Sequence, residues 1–307
     1  MSAYRFCRTD DIALLVDALN RCWSPYFPDE PPLTPAAFKR SIRGLQVWCS
    51  SCMVAFEGSD PIGVLIGAKR PSGTLIHKIA VHPNHRRLGH GRHLLASLGS
   101  KLAILGPPRI VAEVPEGLAP ACKLFSASGY VRETLLTDYV LAEAGVGGSA
   151  GAKPPGLLNA GRFVIPVTVD DLAANGLLGT GGDDPPVCWT RSVETLTARK
   201  DEIAGLAVAS DDRIEAYVLY VRGGVDGDEP RDASRASWGG AAAIVSLRSL
   251  IDDGGARLEH LLARLRAQGV STLWFPKVHP AEISRELLET LGFRAAGGHL
   301  LYAATPR

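Results

Sequence analysis

A short stretch of glycine and cationic residues stands between a predicted strand and a predicted helix. The strand ends at Ile79–Pro83 (IAVHP), and Arg86–Arg92 (RRLGHGR) follows closely. Glycine has no Cβ, so Gly89 and Gly91 permit a tight turn and a close approach to a ligand. The N–H groups of residues 87–92 would face outward where the helix begins, without helical acceptors. Such groups bind phosphate or pyrophosphate, because they lie at the positive end of the helix dipole.

The elements that must hold this turn are predicted from the spacing of apolar residues. Leucines at helical spacing, from Leu94 to Leu105, predict a helix over residues 89–105 with these leucines on its inner face. A helix at 119–128 is expected to end at Gly129, where left-handed geometry favours glycine. The predicted strands of this half are 4–8, 52–57, 62–68, 75–81 and 110–114, and residues 130–141 are expected to contain its last strands. Two earlier helices follow the caps Thr9–Asp11 and Thr34.

The second half of the chain echoes the first. Gly91 and Gly129 are 38 residues apart, and so are Gly254 and Gly292, at an offset of 163 residues. Four further pairs of apolar or aromatic residues coincide at this offset: Val81 with Ile244, Leu95 with Leu258, Tyr130 with Phe293, and Tyr139 with Tyr302. We interpret the shared register as a tandem repeat of one domain type.

Composition separates the two copies. Residues 144–161 are rich in Gly, Ala and Pro, which is typical of a linker. The predicted domains are therefore residues 1–143 and 162–307. The polar, glycine-bearing stretch 223–236 in the second copy is predicted to be a mobile hairpin tip.

The bulk composition describes a soluble globular protein with a core of ordinary size. The chain has 307 residues, of which 46% are hydrophobic and 21% charged, and this length suggests about two domains. The net charge of +1 gives no electrostatic argument for nucleic acid or an acidic membrane. No apolar run approaches ~18 residues and no signal-peptide core is present, so a cytoplasmic location is expected.

The cysteines predict reduced thiols, the default when no signal peptide is present. The chain has six of them, and Cys49 and Cys52 form a lone CxxC pair. A zinc site usually needs a second pair at suitable spacing, which the sequence lacks. Incidental thiols beside a strand are the simpler interpretation, and metal or redox chemistry is the alternative.

The turn and its flanking elements resemble a known family. Residues Ile79–Gly91 (IAVHPNHRRLGHG) are similar to the acyl-CoA loop of the GNAT superfamily of N-acyltransferases. The order of predicted elements in residues 3–141 fits that family, and residues 163–307 resemble it more weakly, as a second copy. The resemblance implies an α/β (α+β) fold of two tandem domains, each with a mostly antiparallel central sheet, splayed strands and flanking helices.

The resemblance also implies where an acyl-CoA donor binds. The pantetheine arm would lie in a split between the strands at 79–81 and 110–114, and would pair with backbone groups of Ile79 and Val81 like an added strand. The pyrophosphate would lie on the turn. The residues expected to bind the donor are Ile79, Ala80, Val81, Arg86, Arg87, Leu88, Gly89, His90, Gly91 and Arg92.

The implied reaction is a direct attack by a neutral amine on the thioester carbonyl. It needs a base for the amine, a donor to the oxyanion, for which a backbone N–H near Val81 is the candidate, and a proton for the thiolate. His77 and Glu113 are the candidate bases, and Tyr139 could contribute. His77 has a suitable unperturbed pKa of about 6.5. Each could instead be structural, as a hydrogen-bonded histidine or an ion-paired carboxylate.

Four histidines crowd the turn, at positions 82, 85, 90 and 93. They are either metal ligands or a cationic rim around phosphates. The rim accounts for them more simply, and we expect no metal.

Two positions depart from the family pattern. A tyrosine often stands four residues before the glycine that ends the last helix, where it protonates the thiolate, but this position is Phe125. The asparagine often seen seven residues earlier is Leu118. The thiolate would then take its proton from water or from another residue.

The second copy lacks the turn. Residues Val245–Asp253 (VSLRSLIDD) contain no Arg-x-x-Gly, and Asp252 and Asp253 would repel a phosphate. We expect this copy to be degenerate and structural, packing against the first and walling the acceptor site. Three tryptophans could line that site or pack in the core: Trp189, Trp238 and Trp274.

These observations favour an N-acyltransferase, most simply an N-acetyltransferase that transfers from acetyl-CoA to a small-molecule or protein amine. No nucleic-acid or membrane partner is expected, and the chain is expected to be a monomer or homodimer. The alternative is a non-catalytic acyl-CoA-binding or sensing protein, which Phe125 favours. A dinucleotide-binding oxidoreductase is disfavoured, because no full GxGxxG follows an N-terminal strand.

Overall fold

The chain forms two compact units, which we call unit 1 and unit 2. The computed structural model describes residues 2–28, 31–142, 162–179, 186–223 and 240–307. Unit 1 comprises Met1–Thr134 with His299–Arg307, and unit 2 comprises Leu135–Gly298. Both are mixed α/β, which confirms the predicted fold class. The predicted linker and all of the predicted hairpin tip except Gly223 lie outside the described residues, and the domain limits 1–143 and 162–307 stay a prediction.

Unit 1 is built on one mixed sheet. Its strands are β1 (Ser2–Phe6), β2 (Met53–Glu57), β3 (Asp60–Arg70), β4 (Gly73–Val81), β5 (Ile110–Pro115) and, from His299 onward, β12 (Arg294–Ala304). They lie in the order β1-β2-β3-β4-β5-β12, antiparallel except for the parallel pair β4–β5. The helices are α1 (Ile12–Cys22), α2 (Pro35–Leu45), α3 (His90–Leu105) and α4 (Ala119–Ala127).

Unit 2 repeats this plan. Its strands are β6 (Val131–Ala142, from Leu135 onward), β7 (Phe163–Pro166), β8 (Ala204–Ala209), β9 (Ile214–Arg222), β10 (Ala241–Ser249) and β11 (Thr272–Val278). They lie in the order β6-β11-β10-β9-β8-β7, with β10 and β11 parallel. The helices are α5 (Val169–Ala174), α6 (Val193–Ala198), α7 (Ala256–Ala267) and α8 (Arg285–Thr290). In the part of the chain described, no helix has the length and apolar character to cross a membrane.

Local chemistry accounts for where the helices of unit 1 begin. The hydroxyl of Thr34 accepts a hydrogen bond from Ala37 N–H (3.2 Å), which caps α2 as predicted. Asp11 precedes α1, but its carboxylate accepts from Arg8 N–H instead of capping the helix. The helix is formed because its apolar face, which includes the fully buried Leu15, packs against β3.

The inner face of α3 is shorter than predicted. Leu94 and Leu98 are fully buried, and each such burial contributes roughly 1.5–3 kcal/mol. Leu105, predicted to share that face, is 71% exposed, because the last turn of the helix extends past the core. Gly129 follows α4 with φ +84°, the left-handed conformation predicted for it.

Candidate active site

The turn before α3 has the geometry of an anion-binding loop. Gly89 precedes the helix with φ +87°, and it supplies no side-chain cap to the first-turn N–H groups. A Cβ at Gly89 would meet no heavy atom within 4 Å, so the space in front of the backbone is open. Arg87 is also left-handed (φ +64°), which is uncommon outside glycine and is often found at functional sites. Arg86, Arg87, Leu88 and Arg92 are exposed around this space.

Gly91 is glycine for a different reason from the one the sequence suggested. It is buried, and a Cβ there would lie 3.1 Å from a methyl group of Leu124 on α4. The small residue therefore lets α4 pack closely on the start of α3. The missing side chain serves this packing and not the approach of a ligand.

The histidines of the turn divide into two groups. His90 is buried, and its Nδ1 shares a 2.6 Å hydrogen bond with the Tyr4 hydroxyl. The His93 ring packs against the same tyrosine at a tilt of 35°, with ring centroids 3.7 Å apart. Both imidazoles contact Tyr4 on β1, so of the four histidines only His82 and His85 fit the predicted cationic rim. Among the described residues, no group of three or more His, Cys, Asp or Glu side chains is arranged to hold a metal ion.

A split opens between β4 and β5. The two parallel strands are paired only at Thr74 with Ile110 and at Leu75 with Val111. A β-bulge accompanies the divergence, because Ile76 and Lys78 are paired with successive residues of β3 and His77 is the extra residue between them. A bulge bends and twists its strand, which explains why β4 leaves β5 at this point.

The backbone of Ile79 and Val81 faces this split. His82 N–H donates to the Ile62 carbonyl on β3 (2.9 Å). Successive residues of an antiparallel strand direct their backbone groups to opposite sides. Ile79 and Val81 therefore direct theirs away from β3, toward the side on which β5 has diverged.

The two candidate bases flank the beginning of the split. His77 and Glu113 each lie two positions beyond the last paired residues of their strands, and both are partly buried. Glu113 is opposite Leu301 of β12 in the sheet. Tyr139, the third candidate, is buried in the core of unit 2 opposite Phe275.

Phe125 belongs to a buried aromatic cluster. Its ring stacks on Tyr302 (centroids 5.7 Å apart, planes at 22°) and meets the edge of Tyr130 (5.2 Å). Burial raises the pKa of Tyr130 well above its ordinary value. The sequence did not indicate that Tyr302, almost two hundred residues away, would lie here, because long-range strand pairing leaves no local signal.

Tyr26 is a second residue that the sequence analysis missed. It lies in a short 3-10 turn between α1 and α2, and its hydroxyl donates to the Val81 carbonyl (2.5 Å). The same hydroxyl accepts from Arg86 Nε (2.5 Å). Only the proline-rich composition of this segment was visible in the sequence.

The equivalent turn of unit 2 holds a carboxylate of its own. Gly255, with φ +90°, precedes α7 as Gly89 precedes α3. Asp253 accepts from the N–H groups of Gly255 and Arg257 (both 3.0 Å) and from the Arg257 guanidinium (2.6 Å). Burial acts to raise the pKa of Asp253, but these hydrogen bonds outweigh it and hold that pKa below its usual range. Unit 1 offers the N–H groups of this turn to an anion, whereas the corresponding N–H groups of unit 2 already donate to the Asp253 carboxylate.

This arrangement corrects the residue pairing proposed for the repeat. The offset of 163 residues matches Gly254 with Gly91, but by position in the fold Gly255 matches Gly89, an offset of 166. At Gly129 and Gly292 the offset is 163, as predicted. The offset falls by three because α7, with 12 residues, is four shorter than α3, with 16, whereas the stretch from the helix end to the second glycine is one residue longer.

Unit 2 also contains a buried ion pair. The guanidinium of Arg191 makes two 2.6 Å hydrogen bonds to the Glu282 carboxylate and a third to the Lys277 carbonyl (3.0 Å). The two side chains are only 2% and 5% exposed. Trp189 and Trp274 are buried too, in keeping with core packing, and Trp238 lies outside the described residues.

Comparisons with known proteins agree with this geometry. The family model described as Acetyltransferase (GNAT) family matches residues 12–130. No curated protein matches the chain. Residues 12–130 are therefore similar to the GNAT acetyltransferases, which use acetyl-CoA or another acyl-CoA as donor and act on amines.

Several solved structures share the fold over the whole chain. A GCN5-related N-acetyltransferase from Sphaerobacter thermophilus matches 100% of this chain and 96% of its own at 14% identity, with a TM-score of 0.64. A tandem GNAT protein from the clavulanic acid biosynthesis pathway matches 100% and 99% at 16% identity (0.60). A putative acetyltransferase from Pyrococcus horikoshii matches 100% and 90% at 15% identity (0.60). The fold is thus that of a tandem GNAT protein, as predicted.

Proposed function

We propose that this chain is an N-acetyltransferase that transfers the acetyl group of acetyl-CoA to an amine, with unit 1 as its catalytic half. The observation that carries the proposal is the split between β4 and β5, which leads from the turn at residues 86–92 past the backbone of Ile79 and Val81. An extended arm ending in a pyrophosphate needs this combination of an open strand edge and an anion-binding helix start.

The turn and the strand edge would bind different parts of the donor. The first-turn N–H groups of α3 and the exposed Arg86, Arg87 and Arg92 would hold the pyrophosphate. The arm would run from there along β4, meeting Val81 first and Ile79 next, because β4 leads into the turn. The thioester would then lie near His77 and Glu113, where β4 and β5 diverge.

The reaction is a single displacement at the thioester carbonyl. The amine nitrogen forms a bond to the carbonyl carbon, and the carbon–sulfur bond breaks. A backbone N–H on the split side of β4 stabilises the oxyanion. His77 or Glu113 takes the amine proton, and the thiolate takes one from water, because Phe125 has none to give.

A non-catalytic acyl-CoA-binding protein is the second candidate. It is favoured by one observation, the burial of Phe125 in the cluster with Tyr130 and Tyr302. A thiolate leaves readily without an acid, so the missing hydroxyl does not by itself prevent turnover.

Detection of free CoA with DTNB across a panel of small amines and amino-terminal peptides separates the two candidates. The proposal predicts acetyl-CoA-dependent thiol release with at least one acceptor. Binding of acetyl-CoA without turnover on any amine would favour the sensor, and a chain that does not bind acetyl-CoA would be neither.

The base assignment makes a separate prediction. Replacing His77 with alanine should lower kcat by roughly 100-fold, the scale of general-base catalysis, while the Kd for acetyl-CoA changes little. Steady-state kinetics and calorimetry on the same preparation check both parts. His279→Ala, which removes a histidine of unit 2 away from the turn, serves as the control and should keep the wild-type kcat and Kd. Wild-type turnover in His77→Ala would eliminate His77 as the base and make Glu113→Gln the next variant to measure.

A further inference from the structure

The hydroxyl of Tyr26 joins two parts of the proposed donor site. It donates to the Val81 carbonyl at the end of β4 and accepts from Arg86 in the turn, each at 2.5 Å. The Arg86 guanidinium also lies over the Tyr26 ring, 4.2 Å from its centroid. Burial raises the pKa of Tyr26, although Arg86 acts in the opposite direction, so the hydroxyl keeps its proton and donates it.

The Val81 carbonyl is one of the groups that a bound donor arm would use. It points to the side of β4 away from β3, because the backbone of His82 is paired with Ile62. An arm lying in the split as an added strand would place an amide N–H on this oxygen. Tyr26 already makes that hydrogen bond.

Tyr26 likewise engages Arg86, a group that the pyrophosphate of a bound donor would use. It is exposed and lies three residues before Gly89, at the edge of the anion-binding turn. Its Nε–H is directed to Tyr26, so the tyrosine holds a cation that a phosphate would attract.

The corresponding segment of unit 2 contacts the other strand of its parallel pair, through a charged side chain. There the segment between α5 and α6 delivers Arg191 to the Lys277 carbonyl on β11, the equivalent of β5 (3.0 Å). The buried Glu282 carboxylate holds Arg191 in place with two further hydrogen bonds. In unit 1 the described part of the segment between α1 and α2 places a neutral hydroxyl on the Val81 carbonyl, and this is a single hydrogen bond that a ligand amide could replace.

We propose that Tyr26 is a latch on the donor site, closed on Val81 and Arg86 in the free protein and displaced when acetyl-CoA binds; this rests on the proposed function. The pantetheine amide replaces the Tyr26 hydroxyl on Val81, and the pyrophosphate takes Arg86. Tyr26 thereby connects donor binding to the segment between α1 and α2. No covalent step is involved.

If Tyr26 is a latch, Tyr26→Phe should bind acetyl-CoA more tightly than the wild type. Removing the hydroxyl abolishes a hydrogen bond that the donor must otherwise break, so the Kd for acetyl-CoA should fall by roughly 3- to 10-fold, the usual scale of one net hydrogen bond. A tyrosine that merely stabilised the site would have the opposite effect, because its loss would weaken binding.

Isothermal titration of the full chain with acetyl-CoA tests the latch. Tighter binding by Tyr26→Phe than by the wild type supports it, and equal or weaker binding overturns it. A wild-type chain that does not bind acetyl-CoA would instead overturn the proposed function, and the latch with it. Thermal melts establish that the variant is folded.

A matched control is available in unit 2. The Tyr217 hydroxyl also donates to a backbone carbonyl, that of Leu177 (3.1 Å). Tyr217→Phe removes this hydrogen bond away from the donor site, together with those of the same hydroxyl to Ser246 and Arg248, and should leave the Kd for acetyl-CoA at the wild-type value. A decrease equal to that of Tyr26→Phe would show that the effect is not specific to the latch, and would overturn it.

Discussion

Replacing Gly89 with glutamate is expected to abolish acetyl-CoA binding, with a loss of at least roughly 100-fold, or about 2.8 kcal/mol. Two effects act together. Gly89 has φ +87°, a conformation that costs residues with a Cβ about 1–2 kcal/mol. The new carboxylate would also add negative charge at the start of α3, beside the N–H groups proposed to hold the pyrophosphate. Isothermal titration with acetyl-CoA measures the loss.

Two variants separate charge from backbone strain. Gly89→Ala introduces the strain without the charge and should weaken binding less. Gly176 is likewise left-handed (φ +67°) and open to space, but lies after α5 in unit 2, so Gly176→Glu should bind like the wild type. A Gly89→Glu protein with unchanged affinity would contradict the assignment of the donor site.

Replacing Glu282 with alanine is expected to give the largest loss of stability. Arg191 is buried, and although burial alone would lower the pKa of its guanidinium, Glu282 raises it above its usual range, so the group remains charged. Without Glu282 a charged guanidinium would stay buried with no carboxylate partner. Breaking one side of such a pair costs about 3–5 kcal/mol. Urea denaturation followed by circular dichroism checks this value.

An exposed ion pair of the same unit provides the comparison. Arg285 and Glu289 are 2.7 Å apart, one turn from each other on α8, with side chains 70% and 50% exposed. Glu289→Ala should hardly change the denaturation midpoint, because solvent screens exposed pairs. Equal destabilisation by Glu282→Ala and Glu289→Ala would contradict the structural role given to the buried pair.

The features predicted well from the sequence have local causes. The left-handed conformation of Gly129 follows from the absence of a Cβ, and the cap at Thr34 follows from a side chain three residues from its donor. The fold class was implied by the resemblance of residues 79–91 to the GNAT acyl-CoA loop, and the repeated apolar positions indicated a second copy. In α3 the same periodicity extended the buried face too far, to Leu105, since a pattern of leucines does not show where the core ends.

The features that were missed depend on contacts between distant residues. Tyr26 reaches Val81 across 55 positions and Arg86 across 60, and no spacing rule connects them. The bulge at His77 depends on the pairing of β4 with β3. The sequence suggested that Asp253 would repel a phosphate, but only the structure places its carboxylate on the N–H groups that a phosphate would need.

The number of acetyl-CoA molecules bound per chain tests the central claim most directly. Unit 1 has the turn proposed to bind an anion, beside a split strand pair, and in unit 2 Asp253 accepts from the corresponding N–H groups. Isothermal titration of the wild-type chain should therefore give one site, and the Gly89→Glu chain should give none. A stoichiometry of two, or a site that survives Gly89→Glu, would contradict the account.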